Sequence, residues 1–155
     1  MKMIHLKPHH QLPGFCGPAS LKMVLEHYGV KKPEAELGRM AKSSHTMGTR
    51  GPNIVAVAKK LGFKAFLKDE ASISDVRQWT GKGIPVIVNW FSVDDGHYSV
   101  AVGMTKTSVF LMDPQFARVR RFPIGKFEDL WFDFTPEGKR TRKSLVLRRM
   151  IVIHP

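Results

Sequence analysis

The sequence is poor in cysteine, and this scarcity limits its chemistry. Cys16 is the single cysteine among 155 residues. No disulfide can form within the chain, which is typical of a reducing, cytoplasmic compartment. No apolar run approaches the ~18 residues that a transmembrane helix needs, and residues 1–11 lack the apolar core of a secretory signal. With no repeats or low-complexity segments, we expect one domain over residues 1–155, without a membrane span.

Acidic residues are also scarce: 13 Asp and Glu stand against 25 Lys and Arg, a net charge of +12. Half of that excess lies in residues 118–155. Such a basic end is compatible with a solvated surface or with an acidic partner. No nucleic-acid-binding motif is recognisable, so a nucleic-acid partner is not favoured. The histidines of residues 5–10 do not have the ligand spacing of a metal site with Cys16, and we expect no cofactor.

The segment around Cys16 is the most informative part of the chain. Apolar residues recur at helical spacing directly after it, and Gly29 predicts the end of that helix. Cys16 therefore lies at a predicted helix N-terminus, where unpaired N–H groups and the helix dipole favour a thiolate. The alternative is a small buried core residue.

The remaining pattern places helices first and strands later, which predicts an α+β fold. Helices are expected over residues 17–28, from Pro33, and from Ile54 to Leu61, and Ser72 is expected to cap a fourth. Strands are predicted at 3–7, as an edge strand, and at 63–67, 84–90, 97–103, 109–113, 118–122 and 145–153. The other predicted segments are a polar loop at 43–53, a helical turn at 127–131 and a basic loop at 133–143.

His97 and Asp113 stand out because a catalytic thiol needs a base and a group that orients the base. His97 begins a predicted strand after Asp94-Asp95-Gly96. Asp113 ends the next strand, although an aspartate before proline is also typical of a turn. A hairpin centred on Lys106 would place Asp113 opposite Ser99, diagonal to His97 on one face. A register shifted by one residue would separate them, and the sequence does not choose between the two.

An oxyanion would need hydrogen-bond donors as well. The backbone N–H of Cys16 is one candidate, and the side-chain amide of Gln11 is another, although Gln11 could equally be a solvated polar residue. Should Asp113 point away, Asn89 is the reserve candidate for orienting His97.

Together these motifs resemble a papain-like cysteine peptidase, and in particular the bacteriocin-processing, double-glycine leader peptidases. The resemblance covers residues 8–131. It rests on Gln11, on Cys16-Gly17-Pro18-Ala19-Ser20-Leu21 running to Tyr28-Gly29, on Gly48-Thr49-Arg50-Gly51, on Gly96-His97-Tyr98-Ser99-Val100, and on Asp113-Pro114.

The resemblance implies a papain-like fold, with N-terminal helices packed against a C-terminal antiparallel sheet. It implies that Cys16 is the nucleophile, that His97 is the general base and acid, that Asp113 orients His97, and that Gln11 holds the oxyanion. The expected reaction is peptide-bond hydrolysis through a thioester, with a peptide or protein substrate. The alternative is a catalytically silent module that binds a peptide or an acidic partner.

Overall fold

The computed structural model describes residues 2–93, 95–136 and 139–155. Asp94, and Glu137 and Gly138 of the predicted basic loop, lie outside the described residues. The helices are α1 (Cys16–His27), α2 (Glu34–Met40), α3 (Gly51–Lys60), α4 (Ile73–Gly81) and α5 (Ile124–Leu130), with a 3-10 turn at Arg142–Ser144. The strands are β1 (Lys64–Lys68), β2 (Val86–Ser92), β3 (Asp95–Met104), β4 (Ser108–Asp113), β5 (Arg118–Pro123), β6 (Phe132–Phe134), β7 (Leu145–Leu147) and β8 (Arg149–His154).

Six of these strands form one antiparallel sheet in the order β1-β8-β2-β3-β4-β5. Strands β6 and β7 pair with each other in a separate two-stranded ribbon. The predicted α+β fold, with early helices against a mainly C-terminal antiparallel sheet, is confirmed. Strand β1 is the exception in chain order, because it comes from the first half and pairs with β8 at the sheet edge.

The sheet carries a core on each face. Leu21, Ile54 and Val100 belong to the core that α1, α2 and α3 form on one face. Val76 of α4 and Phe127 of α5 belong to the core on the opposite face. From Tyr98 to Val102 the side chains of β3 alternate between the two cores, as the pleat of a strand requires, and after the irregularity between Ala101 and Gly103 the side chain of Met104 belongs to the second core.

Helix α1 is fixed at both ends. Leu21, Val24 and Leu25 are fully buried, and burying each such side chain stabilises the fold by about 2 kcal/mol. At the C-terminal end, the Tyr28 hydroxyl donates a 2.8 Å hydrogen bond to the carbonyl oxygen of Ile153 in β8. The helix that starts at Cys16 is therefore held firmly to the sheet.

Several predicted boundaries need correction. Residues 3–7 are described but form no strand; Ile4 makes a single 2.8 Å backbone hydrogen bond to Val102. Helix α3 starts at Gly51, three residues earlier than predicted, because Pro52 occupies a first-turn position where proline needs no N–H partner. Helix α4 begins as predicted, with reciprocal hydrogen bonds between Ser72 and Asp75.

The last predicted strand is in fact two strands. Arg148 has a φ of +46° between β7 and β8, and this left-handed conformation breaks the extended run. Strand β7 turns away to pair with β6, whereas β8 enters the main sheet between β1 and β2. The predicted basic loop at 133–143 likewise contains the end of β6 and the 3-10 turn.

Candidate active site

Cys16 is the first residue of α1 and follows the non-helical Phe15. The first N–H groups of a helix have no intrahelical acceptor, and the positive end of the helix dipole lies there. The preceding turn is tight. Gly14 has a φ of +73°, and a Cβ at this position would lie 2.2 Å from the carbonyl oxygen of His45. The loop at His45, whose ring stacks on Phe15, therefore fixes the approach to Cys16.

His97 and Asp113 are in direct contact. The Nε2 atom of His97 lies 2.6 Å from Oδ1 of Asp113, and both side chains are almost completely buried. Strands β3 and β4 pair with Val100 opposite Met112. This pairing is the register centred on Lys106, which is one of the two that the sequence left open. The register shifts by one residue only between Ala101 and Gly103, nearer to the turn of the hairpin. Asn89 is therefore not needed to orient His97.

Asp113 is held as a carboxylate by three donors. Oδ1 also accepts a 2.9 Å hydrogen bond from the Gln115 N–H, and Oδ2 accepts one of 2.9 Å from a terminal nitrogen of Arg120. Burial by itself would raise the pKa of Asp113. The hydrogen bond to His97 and its charge, together with the donors Arg120 and Gln115, outweigh that effect and lower the pKa.

Arg120 was not predicted to belong to this site, because in the sequence it is one of many basic residues in the segment 118–155. In β5 it projects beside Asp113, and its guanidinium also packs over the rings of Phe116 and Phe122. One feature of the sequence could have indicated this role. The strand after Asp113 carries arginines at positions 118 and 120, and alternate residues of a strand share one face.

Cys16 and His97 line the same cleft, and Cys16 acts on the imidazole by raising its pKa. Because Nε2 of His97 faces Asp113, Nδ1 is the ring nitrogen left for the sulfur. The sulfur also accepts a 3.4 Å hydrogen bond from the backbone N–H of Tyr98. Burial alone would lower the pKa of His97. Hydrogen bonds to Asp113 and Cys16, and the negative charges of both, outweigh burial and raise that pKa to about 9.

Trp90 covers the histidine, a role that the sequence did not reveal. Its ring centroid lies 5.8 Å from that of His97 in an edge-on arrangement, and its indole N–H donates a 3.0 Å hydrogen bond to Ser99. Trp90 is opposite His97 in the β2–β3 pairing. A buried indole at this position keeps water from the His97–Asp113 hydrogen bond, which strengthens it.

Gln11 lies at the same cleft as Cys16 and His97. Its backbone N–H donates a 2.9 Å hydrogen bond to the carbonyl oxygen of Pro114, next to Asp113. The side-chain Oε1 is buried and has no hydrogen-bond partner among the described residues. The side-chain amide therefore lies near the predicted site, and its oxygen accepts no hydrogen bond from the described residues.

The cleft around these residues has a volume of about 720 Å³. The loop before α3 forms one wall. It is tied to the sheet by the Tyr98 hydroxyl, which donates a 3.0 Å hydrogen bond to the carbonyl oxygen of Thr49. Residues 133–136, from β6 and the segment after it, also line the cleft, and Asp133 lies against Gly96, the residue before His97. Residues 48–52, at the end of this loop and the start of α3, all line the cleft.

Related sequences identify the family of this chain. Residues 14–135 match the Peptidase C39 family. The chain belongs to this family. An uncharacterised protein of Methanothermobacter thermautotrophicus is 33% identical over 104 residues, which cover 67% of this chain and 68% of that protein. A lactococcin transport/processing ATP-binding protein, LcnC-like, of Lactococcus lactis subsp. lactis is 32% identical over 64% of this chain but only 14% of its own length.

Solved structures show the same C39 fold. The peptidase domain of Streptococcus ComA, a bifunctional ABC transporter involved in quorum sensing, has a TM-score of 0.75 and 27% identity, covering 97% of this chain and 99% of that chain. A double glycine motif protease from an AMS/PCAT transporter, solved in complex with the leader peptide, has a TM-score of 0.75 and 18% identity, covering 99% and 94%. The predicted resemblance to bacteriocin-processing peptidases is confirmed, and the protein is a cysteine peptidase of the C39 family.

Part of the basic C-terminal end belongs to the cleft of this C39 domain. Arg140 lies in the cleft wall, where it makes a 3.1 Å ion pair with Asp95 and packs over Phe91. The predicted acidic partner of this end stays a prediction. Among the described residues, no helix is long and apolar enough to cross a membrane.

Proposed function

We propose that this chain hydrolyses peptide bonds through a Cys16–His97–Asp113 triad. The observation that carries the proposal is the 2.6 Å hydrogen bond from the imidazole of His97 to the buried carboxylate of Asp113, beside the Cys16 sulfur, which accepts a 3.4 Å hydrogen bond from the N–H of the next residue, Tyr98. A thiol becomes a strong nucleophile when a base holds its proton and a third group orients that base.

In the first step the Cys16 thiol gives its proton to His97 and its sulfur attacks the scissile carbonyl carbon, so that a C–S bond forms and the carbonyl π electrons move to the oxygen. The backbone N–H of Cys16 and the side-chain amide of Gln11 are our candidates for holding the oxyanion. His97 then gives its proton to the leaving amine as the C–N bond breaks, which leaves a thioester. Water attacks the thioester with His97 as base, the C–S bond breaks, and the carboxylic acid product and the thiol are restored.

As the substrate class we propose leader peptides that end in two glycines. The related double glycine motif protease was solved with its leader peptide. In this chain four glycines line the cleft, namely Gly14, Gly48, Gly51 and Gly96. Walls without side chains allow a substrate backbone to approach closely, which suits a peptide that itself lacks side chains at the scissile bond.

The direct test is cleavage of synthetic precursor peptides that carry a Gly-Gly site, followed by mass spectrometry. We expect cleavage after the second glycine by the wild-type protein and none by Cys16→Ala. Quenching the wild-type reaction early should reveal the protein with the mass of an attached leader, which is the thioester. Cleavage that survives Cys16→Ala would contradict the proposal.

A matched pair of variants separates chemistry from folding. His97→Ala should lose cleavage while keeping the thermal unfolding midpoint close to that of His97→Gln. If wild-type protein binds the peptides but cleaves none under any reducing condition, the catalytically silent module becomes the better account.

A further inference from the structure

The proposed mechanism leaves two polar side chains at the cleft unused. Asn89 in β2 and Asp133 in β6 both line it. The carboxyl lies directly over Gly96, where a Cβ would stand 2.0 Å from Oδ1 of Asp133. Since Gly96 precedes His97, this pair occupies the cleft wall next to the histidine.

The corner formed by Asn89 and Asp133 is rich in acceptors and poor in donors. Asn89 is only 5% exposed, and its Oδ1 has no hydrogen-bond partner among the described residues. Oδ1 of Asp133 accepts a 2.7 Å hydrogen bond from the N–H of Phe134. A carboxylate and an amide oxygen can together accept several more. An unpaired buried acceptor is costly, so a ligand that donates hydrogen bonds would be stabilised here.

The guanidinium groups nearby have other carboxylates as partners. Arg149 makes two hydrogen bonds to Asp69, of 2.7 Å and 3.0 Å, and Arg140 pairs with Asp95. Asp95, Arg140, Tyr98 and Arg149 are the titratable groups that act on Asp133. Burial raises the pKa of Asp133 to about 6, and hydrogen bonds from Phe134 and Asn89 offset only part of this effect.

We infer that Asn89 and Asp133 form a subsite for a cationic side chain of the substrate, a lysine or an arginine close to the scissile bond. An ammonium or guanidinium group supplies a donor for the unpaired Oδ1 of Asn89 and a charge opposite to that of the Asp133 carboxylate. An acidic side chain would face the carboxylate and be repelled. The inference rests on the proposed peptidase function, because it assigns part of the specificity of the same cleft.

The substrate test uses precursor peptides in which each residue flanking the scissile bond is in turn lysine or glutamine. We expect one position at which lysine raises kcat/KM roughly tenfold over glutamine in the wild-type protein. Asp133→Asn should reduce that ratio below about twofold. Asp129→Asn, which removes an exposed carboxylate outside the cleft, is the matched control and should keep the wild-type ratio.

A second measurement needs no peptide hydrolysis. Cys16 is modified with two methanethiosulfonates, one carrying a trimethylammonioethyl group and one a neutral methyl group. Asp133→Asn should lower the cationic-to-neutral rate ratio roughly fivefold, and Asp129→Asn should not. If that ratio responds but no peptide is cleaved, the peptidase proposal fails and the subsite stands. If peptides are cleaved but neither lysine preference nor reagent ratio depends on Asp133, the subsite is overturned.

Discussion

At the scale of single residues, Arg120 supports the proposed catalytic side chains through its contact with Asp113. Its hydrogen bond to Oδ2 holds the carboxylate of Asp113 in the orientation that His97 needs. Asp113 has no exposure to solvent, so loss of this cation would leave a buried charge with one donor fewer.

We predict that Arg120→Met lowers kcat roughly tenfold to a hundredfold with little change in KM, because Arg120 does not contact substrate. The alkaline limb of the pH–rate profile should also move to lower pH, since a less ionised Asp113 holds the proton of His97 less firmly. Steady-state kinetics across pH measure both effects. Arg121→Met, on an exposed neighbouring residue of β5, is the control, and equal effects of the two substitutions would rule out a specific role for Arg120.

The raised pKa of His97 gives a second prediction. Its folded value of about 9 lies above the ordinary 6.5, so the imidazolium persists well above neutral pH and is lost as the pH rises through about 9. Peptide cleavage should therefore decline above about pH 9, because the leaving amine then receives no proton from His97. Circular dichroism at pH 10 separates this loss from unfolding. A rate that stays level to pH 10.5 in folded protein would contradict it.

At the scale of elements, the turn before α1 determines where Cys16 lies. We predict that Gly14→Ala destabilises the fold by more than 2 kcal/mol, because the added Cβ would overlap the backbone of His45 at a positive φ. The comparison is Gly29→Ala, where φ is also positive but no atom lies within 4 Å, with an expected cost of about 1 kcal/mol. Denaturant unfolding measures both, and similar costs would mean that the His45 loop yields easily.

Elements with a local signal could be predicted from sequence, and those that depend on distant contacts could not. The apolar spacing after Cys16 and the Ser72–Asp75 cap specify their helices directly. The break at Arg148 could not be predicted, because an arginine gives no signal of a left-handed conformation. The roles of Arg120 and Asp133 were not predicted for a related reason. Arg120 acts on Asp113, and Asp133 lies near Asn89, on different strands, and a local sequence pattern does not specify which strands are neighbours in the sheet.

At the scale of the whole molecule, the net charge of +12 is spread unevenly between cleft and surface. Arg140 belongs to the cleft wall, whereas Arg142 and Lys143 are exposed and lie outside it. We predict that replacing Arg142 and Lys143 with glutamine changes the rate of Cys16 alkylation by less than about twofold, because salt screens the charges of exposed side chains that lie outside the cleft. A larger loss of thiol reactivity would mean that these side chains reach the site.

The central claim is that Cys16 and His97 act as one reactive pair, and the pH dependence of Cys16 alkylation by iodoacetamide tests it most directly. A lone thiol reacts mainly near and above pH 8.5. We predict that the wild-type profile differs from that of a lone thiol, because the imidazolium of His97, whose pKa is raised to about 9, acts on the sulfur, and that His97→Ala reverts to the profile of a lone thiol. Identical profiles for the two proteins would show that Cys16 and His97 do not interact, and would contradict the account.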